Sequence, residues 1–336
     1  MESRMKTLLA ALGLLVLAAC AQAADPIIIK FSHVVAMGTP KGKAAQRFKE
    51  LAEQYTGGAV RVEVYPDSTL YKDKEELEAL QLGAVQMIAP SLAKFSPLGI
   101  RSFEVFDLPF LFDDEGKLHR VTNGPVGEEL LESLESRGIK GLAFWDNGFK
   151  SFSANRPIHR PEDLRGLRMR IQSSQTLYEQ MRALGAQPEV MGFSEVYQAL
   201  KAGVVDGTEN PHSNLYTQHM HEVQSHVTIS RHGYLGYAVL TNLRFWESLP
   251  GDVREALARA MKEATLYENS IAREENARAI ERVRASGSTE VYELSAAERE
   301  AFRQALLPVH RKMAARIGPD LIEAVYEATG FDPSPR

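Results

Sequence analysis

The sequence predicts an α/β protein built as two similar halves that face one another across a cleft. Three observations carry this reading. Strand-like and helix-like patterns alternate in the same order twice along the chain. The segment A-L-Q-L-G-A-V-Q beginning at Ala79 returns as A-L-K-A-G-V-V-D beginning at Ala199, 120 residues later. A charged, helix-favouring run then extends from Gly251 to Ser286 with no further Pro or Gly inside it.

Each element follows from its local pattern. In the first half, residues 27–32 read as a buried strand, and residues 40–56 alternate with helical period and stop at Gly57-Gly58. Residues 59–65 are strand-like, 74–82 helical, and Gly83 caps that helix before a strand at 84–89. The second half repeats the order: strand 167–171, helix 174–184, short strand 187–190, helix 194–202, cap Gly203, strand 204–209. Alternation of this kind gives parallel strands covered by helices, and ligands in such sheets sit outside the carboxyl ends of the strands. At about 1.5 Å per residue the 251–286 helix exceeds 50 Å, wider than one domain of this size. It is expected to span both halves as a spine. Its apolar positions do not hold a heptad, which argues against a free-standing coiled coil. Residues 294–326 read as two further helices and 332–336 as a disordered tail. Asp73, Glu75, Glu76 and Glu78 form a helical charge run, expected to be a solvated face.

The amino terminus reads as a targeting segment. Arg4 and Lys6 precede an apolar run from Thr7 to Ala19, too short to span a bilayer, which needs about 20 residues. Ala21-Gln22-Ala23 fits a small-x-small cleavage site. Leu17-Ala18-Ala19-Cys20 also fits lipoprotein processing at Cys20. Release as a free secreted protein is favoured, because Ile27 already begins a core strand and leaves little tether. Cys20 is the only cysteine, so neither a disulfide framework nor a thiolate metal site is available. Loss of residues 1–23 removes Glu2, Arg4 and Lys6 and moves the formal charge from −5 to −6. A mildly acidic chain without a basic run is not a nucleic-acid binder. An anionic ligand would need a local cationic cluster that overrides the global sign.

The chemistry-bearing residues gather at predicted strand ends. Arg168 and Arg170 share one face of a strand, and arginine meets a carboxylate with a planar fork of donors. The ordinary alternative is a pair of surface ion pairs. Lys150 follows an expected Asn147-Gly148 turn. Asn210 ends the strand of G-V-V-D-G-T-E-N-P, where an amide before a proline also serves turns. Phe193 precedes a capping serine, and Ser91 occupies the matching strand end of the first half. His33 follows the first strand, with Lys41 and Lys43 opening the next helix. Five of the nine histidines lie between His212 and His232. His221 and His226 are five apart, so they do not share a helix face as a zinc-protease pair would. There is no nucleophile elbow, phosphate loop or dinucleotide fingerprint, and no cofactor is expected.

Taken together, these segments resemble the extracytoplasmic solute-binding proteins of TRAP transporters, the DctP family, in its C4-dicarboxylate branch. The resemblance covers residues 25–330. It runs through F-S-H-V-V, E-V-Y-P-D-S-T-L-Y-K-D-K-E-E, L-G-A-V-Q-M-I-A-P-S-L-A-K-F, F-E-V-F-D-L-P-F-L-F, W-D-N-G-F-K, G-L-R-M-R-I-Q-S-S, F-S-E-V-Y-Q-A-L, V-V-D-G-T-E-N-P and H-G-Y-L-G-Y, in that order. It implies a two-domain, type II-like periplasmic-binding-protein fold with a cleft between the domains and a long helix across both. Residues 25–147 with 236–275 would form one domain, 148–235 with 276–330 the other, and 331–336 a tail. The resemblance further implies a non-enzymatic, monomeric receptor in the periplasm, handing its ligand to TRAP membrane subunits driven by an ion gradient. Arg170 would pair with the ligand carboxylate, Asn210 would support it and Phe193 would pack beneath. Lys150 stands where other branches carry arginine, which keeps the charge and loses the fork. Branches that bind sugar acids carry a carboxylate near Ser91. Its loss here favours a second ligand carboxylate, such as that of succinate, malate or fumarate. His33, with Lys41 or Lys94, is expected to supply the matching positive charge, and Tyr237 a further hydrogen bond.

Overall fold

A computed structural model describes residues 25–334. Two sheets organise the chain. The first contains β1 (Ile27–Ser32), β2 (Val60–Tyr65), β3 (Met87–Ile88), β4 (Ile139–Phe149) and β10 (Tyr234–Asn242), in the order β2-β1-β3-β10-β4. The second contains β5 (Ser151–Ala154), β6 (Arg168–Ile171), β7 (Gln187–Val190), β8 (Gly207–Asn210), β9 (His226–Ile229) and β11 (Glu290–Glu293), in the order β11-β9-β5-β8-β6-β7. Each sheet holds the same motif. β1 lies parallel between β2 and β3, and β6 lies parallel between β7 and β8. An antiparallel strand follows each trio: β10 against β3, and β5 against β8.

The internal repeat has a structural counterpart. Gly83 and Gly203 end their helices with φ of 75° and 65°. Their N–H groups donate to Leu80 O and Leu200 O, and the next residues, Ala84 and Val204, donate to Ala79 O and Ala199 O. A left-handed residue of this kind closes a helix and releases the chain toward a strand, and glycine adopts it without a Cβ penalty. The strands after these caps are shorter than the sequence pattern suggested. β3 is only Met87–Ile88, and β8 begins at Gly207.

The helix Pro40–Tyr55 starts at Thr39, whose hydroxyl accepts the Gly42 N–H at 3.1 Å, and Pro40 takes the first position, where no N–H is required. Gly42 is dictated by close approach, since a Cβ there would lie 2.5 Å from Met37 O. The spine helix runs from Gly251 to Ser286, about 54 Å long at the usual rise, and stops at left-handed Gly287. Val253, Leu257, Met261 and Ala264 pack with Ile29, Phe31, Phe48 and Trp145 beside the first sheet. Ile280 and Val283 pack with Val196, Leu200 and Val227 beside the second. One helix therefore buries its two ends in two different lobes.

The chain crosses between sheets at two further places. β4 passes into β5 with only Lys150 between them, and β9 passes into β10 through residues 230–233. The crossings are joined by the Lys150 N–H, which donates to Gly233 O at 2.8 Å. This corrects the expected Asn147-Gly148 turn. Both residues lie inside β4, where the register against β10 slips between Leu235 and Gly236, so Asn147 is the extra residue of a bulge. The acidic run also departs from expectation. Glu75 and Glu78 are exposed, but Glu76 is fully buried and Asp73 is engaged in an ion pair. Glu76, Leu77 and Leu80 form the inward stripe of the short helix Glu76–Gln81. After the spine, the strand β11 was not anticipated; the helices Ala296–Ile317 and Pro319–Thr329 were.

A Cβ at Gly83 or Gly203 would meet no atom within 4 Å, so only the backbone conformation opposes substitution there. Gly83→Ala and Gly203→Ala should each cost about 1 kcal/mol in urea unfolding. Gly251→Ala, in the ordinary helical region with open space, should be neutral or stabilising by up to about 1 kcal/mol. Equal unfolding midpoints for all three variants would refute the left-handed requirement.

Candidate functional site

Arg168 and Arg170 leave the same face of β6 and meet different surroundings. Arg168 is half-exposed and forms an ion pair with Asp206 at 2.7 Å, with a further bond to Gly203 O at 2.8 Å. Arg170, nearer the carboxyl end of the strand, is 2% exposed. Its Nε and Nη2 donate to Met191 O at 3.1 and 2.9 Å, and its guanidinium lies 5.8 Å from the Phe193 ring centroid. Among the described residues no carboxylate pairs with it. Burial lowers its pKa to about 10, so it remains a cation at neutral pH.

The alternation that aligns Arg168 and Arg170 extends to Gln172, which the sequence reading passed over. Gln172 Nε2 donates to Ser91 Oγ at 2.6 Å, and this bond joins the two lobes. A second link also went unforeseen. The Phe193 N–H donates to Asp73, whose other carboxylate oxygen accepts Lys94 Nζ. Both links flank Arg170. A cavity of about 610 Å³ opens between the lobes there, lined by Arg170, Gln172 and Met191 on one side and Asp73, Lys94 and Leu98 on the other.

The first lobe presents a second group of buried polar side chains. Lys41 is 1% exposed, donates to Ala89 O at 2.9 Å and sits 3.7 Å from the Tyr237 ring centroid. Burial lowers its pKa to about 7, against the pull of Glu76 and Glu268. Lys94 is pushed well below its ordinary range by burial and by the cations Lys41 and Arg170. An anion in the cleft would reverse the last two effects. His33 is fully buried with neither ring nitrogen hydrogen-bonded, and burial and then Lys41 lower its pKa to about 3. It is neutral at ordinary pH, which removes the positive charge expected of it. Cationic charge in this lobe resides on the lysines, and His33 is left as a hydrogen-bonding group.

Three expected residues already have protein partners. Lys150 Nζ lies 2.8 Å from Glu209 Oε1, and Glu209 Oε2 lies 2.8 Å from His232 Nε2, all fully buried. Burial alone would raise the Glu209 pKa, but Lys150 and His232 outweigh it and lower it to about 2. The charge of Lys150 is thus balanced inside the crossing between lobes. Tyr237 Oη accepts Nδ2 of Asn147 at 2.7 Å and of Asn214 at 3.4 Å. Asn210 Nδ2 reaches Thr208 Oγ1 at 3.2 Å, while its buried Oδ1 has no partner.

Among the described residues no group of three or more His, Cys, Asp or Glu side chains is placed to hold a metal. The clustered histidines disperse: His212 bonds Ser151, His219 bonds Glu222 and His232 bonds Glu209. No helix among the described residues is long and apolar enough to cross a membrane. Residues 1–24, with the targeting segment and Cys20, lie outside the described part.

The arrangement is a cleft between two lobes with buried donors on both walls, suited to holding a small anion. Known proteins match it along most of the chain. A C4-dicarboxylate-binding periplasmic protein of Rhodobacter capsulatus is 64% identical over 306 residues, covering 91% of this chain and 92% of its own. A C4-dicarboxylate-binding protein of Bacillus subtilis is 42% identical, covering 90% and 87%. Among solved structures, a TRAP periplasmic solute-binding protein from Shewanella oneidensis with bound succinate has a TM-score of 0.88 at 43% identity, covering 90% of this chain and 99% of its own. Another from Pseudomonas aeruginosa with bound L-malate has a TM-score of 0.84 at 45% identity, covering 85% and 100%. The model of the DctP family, bacterial extracellular solute-binding protein family 7, matches residues 31–317, and the chain belongs to that family.

Proposed function

We propose that this protein is a periplasmic receptor that captures a C4-dicarboxylate such as succinate, malate or fumarate and delivers it to the membrane subunits of a TRAP transporter. It acts by binding and domain closure, without catalysis. The observation that carries the reading is Arg170, a buried guanidinium with no carboxylate of its own, facing a wall that holds buried Lys41 and Lys94. Arg170 would take one ligand carboxylate as a fork, with Phe193 beneath and Asn210 beside it. Lys41, Lys94, Ser91 and neutral His33 would take the other. Lys150 and Tyr237 would act one step back, Lys150 by holding Glu209 and Tyr237 by supporting Lys41. The dicarboxylate-binding relatives and the succinate- and malate-bound neighbours support this choice of ligand.

In this reading residues 25–147 with 236–275 rotate against 148–235 with 276–330. The motion is absorbed at Lys150, at residues 230–233 and along the spine helix. The ligand favours closure only through contacts it makes in the closed state and not in the open one.

Two measurements test the reading. Protein refolded free of ligand should be stabilised by about 4 kcal/mol at ligand concentrations a thousandfold above Kd, a large thermal shift. Succinate, malate or fumarate should give that shift, and acetate and sialic acid should not. A shift only with a keto or aromatic acid would keep the cleft and discard the dicarboxylate assignment. In calorimetry, Arg170→Ala should weaken binding by about thirtyfold to several thousandfold, the consequence of losing roughly 2–5 kcal/mol. Arg168→Ala, which removes an outward ion pair, should change it by less than about threefold. Reversal of that order would show that the wrong arginine faces the ligand.

A further inference from the structure

Glu76 is a buried carboxyl that the proposed binding scheme does not use. It opens the helix Glu76–Gln81, is 0% exposed, and has no hydrogen-bond partner at either oxygen among the described residues. Buried carboxylates ordinarily collect N–H donors or a contacting cation, and the ionised form is costly without them. Its nearest cation, Lys94 Nζ, stands 3.6 Å from Oε1, beyond a good hydrogen bond, and is already engaged by Asp73. The other charged or titratable groups around it come from every neighbouring element. Lys41 of the helix Pro40–Tyr55 and Tyr237 of β10 interact with it directly, His33 at the end of β1 and Glu268 of the spine interact with Lys41, and Arg170 of β6 acts on Lys94 across the cleft.

The charges of this cluster can be counted. With a dianion bound, which favours the charged forms of the buried lysines, Arg170, Lys94 and Lys41 are the cations, Asp73 is the paired anion, and His33 is neutral. Burial, with the Asp146 charge adding to the effect, pushes the Glu268 carboxyl well above its ordinary range. If Glu76 carries a proton, two positive charges remain, matching a ligand with two carboxylates. If Glu76 is ionised, one positive charge remains and the second carboxylate meets a like charge in a site where charges are poorly screened. We propose that Glu76 is a specificity-determining proton site: the receptor takes up its dianionic ligand together with one proton, held on the Glu76 carboxyl.

This inference rests on the dicarboxylate reading and adds a sign to its pH dependence. Burial raises the Glu76 pKa to about 8, with Lys41 opposing. A bound dianion raises it further, because a nearby like charge disfavours ionisation. Affinity is therefore full while the empty protein keeps Glu76 protonated and falls as pH rises through its titration. By reciprocity, ligand binding draws in a proton there.

The test is calorimetry with succinate at about pH 8.5 in two buffers of different ionisation heat. Wild-type protein should take up at least about half a proton more than Glu76→Gln, which carries none at this position. Between about pH 7.5 and pH 9.5 the wild-type Kd should rise at least about tenfold more than that of Glu76→Gln. Because Glu76 raises the Lys41 pKa, the comparison is made also on a Lys41→Arg background, where the neighbouring cation does not titrate in this range, and the same difference is expected. Equal proton uptake, or parallel pH profiles, overturns the proposal. If Glu76→Gln lacks a cooperative thermal transition, Glu76→Leu replaces it with the same expectations. If neither variant folds, wild-type uptake decides: none at pH 8.5 is a refutation. If wild-type protein binds no C4-dicarboxylate at any pH, the dicarboxylate reading itself fails and this inference falls with it. Binding without excess proton uptake removes only the role of Glu76.

Discussion

The site depends on one constraint: a guanidinium has been taken out of water and given no carboxylate in return. Burial of an unpaired charge is expensive, and proteins usually neutralise or pair such a group. Arg170 resists neutralisation because its proton is held so strongly that burial still leaves it charged. The chain offsets part of the cost with two bonds to Met191 O and the face of Phe193. The remainder is available to a ligand, whose carboxylate would supply the missing partner. The surrounding elements follow from this need. β6 delivers the side chain to a strand end, the loop after β7 supplies the carbonyl, and Phe193 opens the short helical turn beneath it. The bonds to Met191 also fix the plane of the fork before any ligand arrives, and pre-organisation of that kind reduces the entropy lost on binding.

The second consequence concerns how two lobes share one site. β4 and β10 stand side by side in the first sheet, yet each is continuous with a strand of the second. The sheets are thereby linked through Lys150 and residues 230–233, and the spine provides a third connection. Charge at the first two crossings is balanced internally. Glu209 accepts from Lys150 beside one crossing and is bonded to His232 in the other. This network ties β8, which ends in Asn210, to both crossings. Asn210, proposed above as a ligand contact, is thus the next residue in the chain after Glu209, which is bonded at both crossings.

Much of this was legible in the sequence, and the failures have physical causes. The first strand and the spine were read to the residue, because a buried apolar run and an unbroken charged helix announce themselves by period and by their stops. The repeat was legible because its glycine is required by a left-handed backbone. Asn147-Gly148 misled because the same dipeptide serves hairpin turns and bulges, and only pairing with β10 distinguishes them. Glu76 misled because a helix of six residues is too short for its charge pattern to reveal which face turns inward. The charged role given to His33 failed for a different reason. Residue type says nothing of solvation, and complete burial beside a lysine decides its protonation. Gln172 was hidden by chemistry rather than pattern, since its alternation with Arg170 was visible but a glutamine announces no particular partner.

The global and local electrostatics now fit together. The protein bears a formal charge of −5, so its overall field repels a dianion, and attraction has to be generated inside the cleft. In the proposed reading Arg170, Lys94 and Lys41 would provide it, each from a buried position where screening by salt is weak. Burial depresses Lys94, and repulsion from its cationic neighbours Lys41 and Arg170 depresses it further. Asp73, ion-paired with Lys94, tempers that repulsion in the empty protein. Bonds across the cleft, Gln172 to Ser91 and Phe193 to Asp73, use one neutral side-chain pair and one backbone N–H. Neither places opposite formal charges across the lobes. Away from the cavity the two parts are joined by an ion pair, Arg316 to Glu104 at 2.8 Å. At the cavity itself no such pair forms among the described residues, and in the proposed reading that place is left for the ligand's anion.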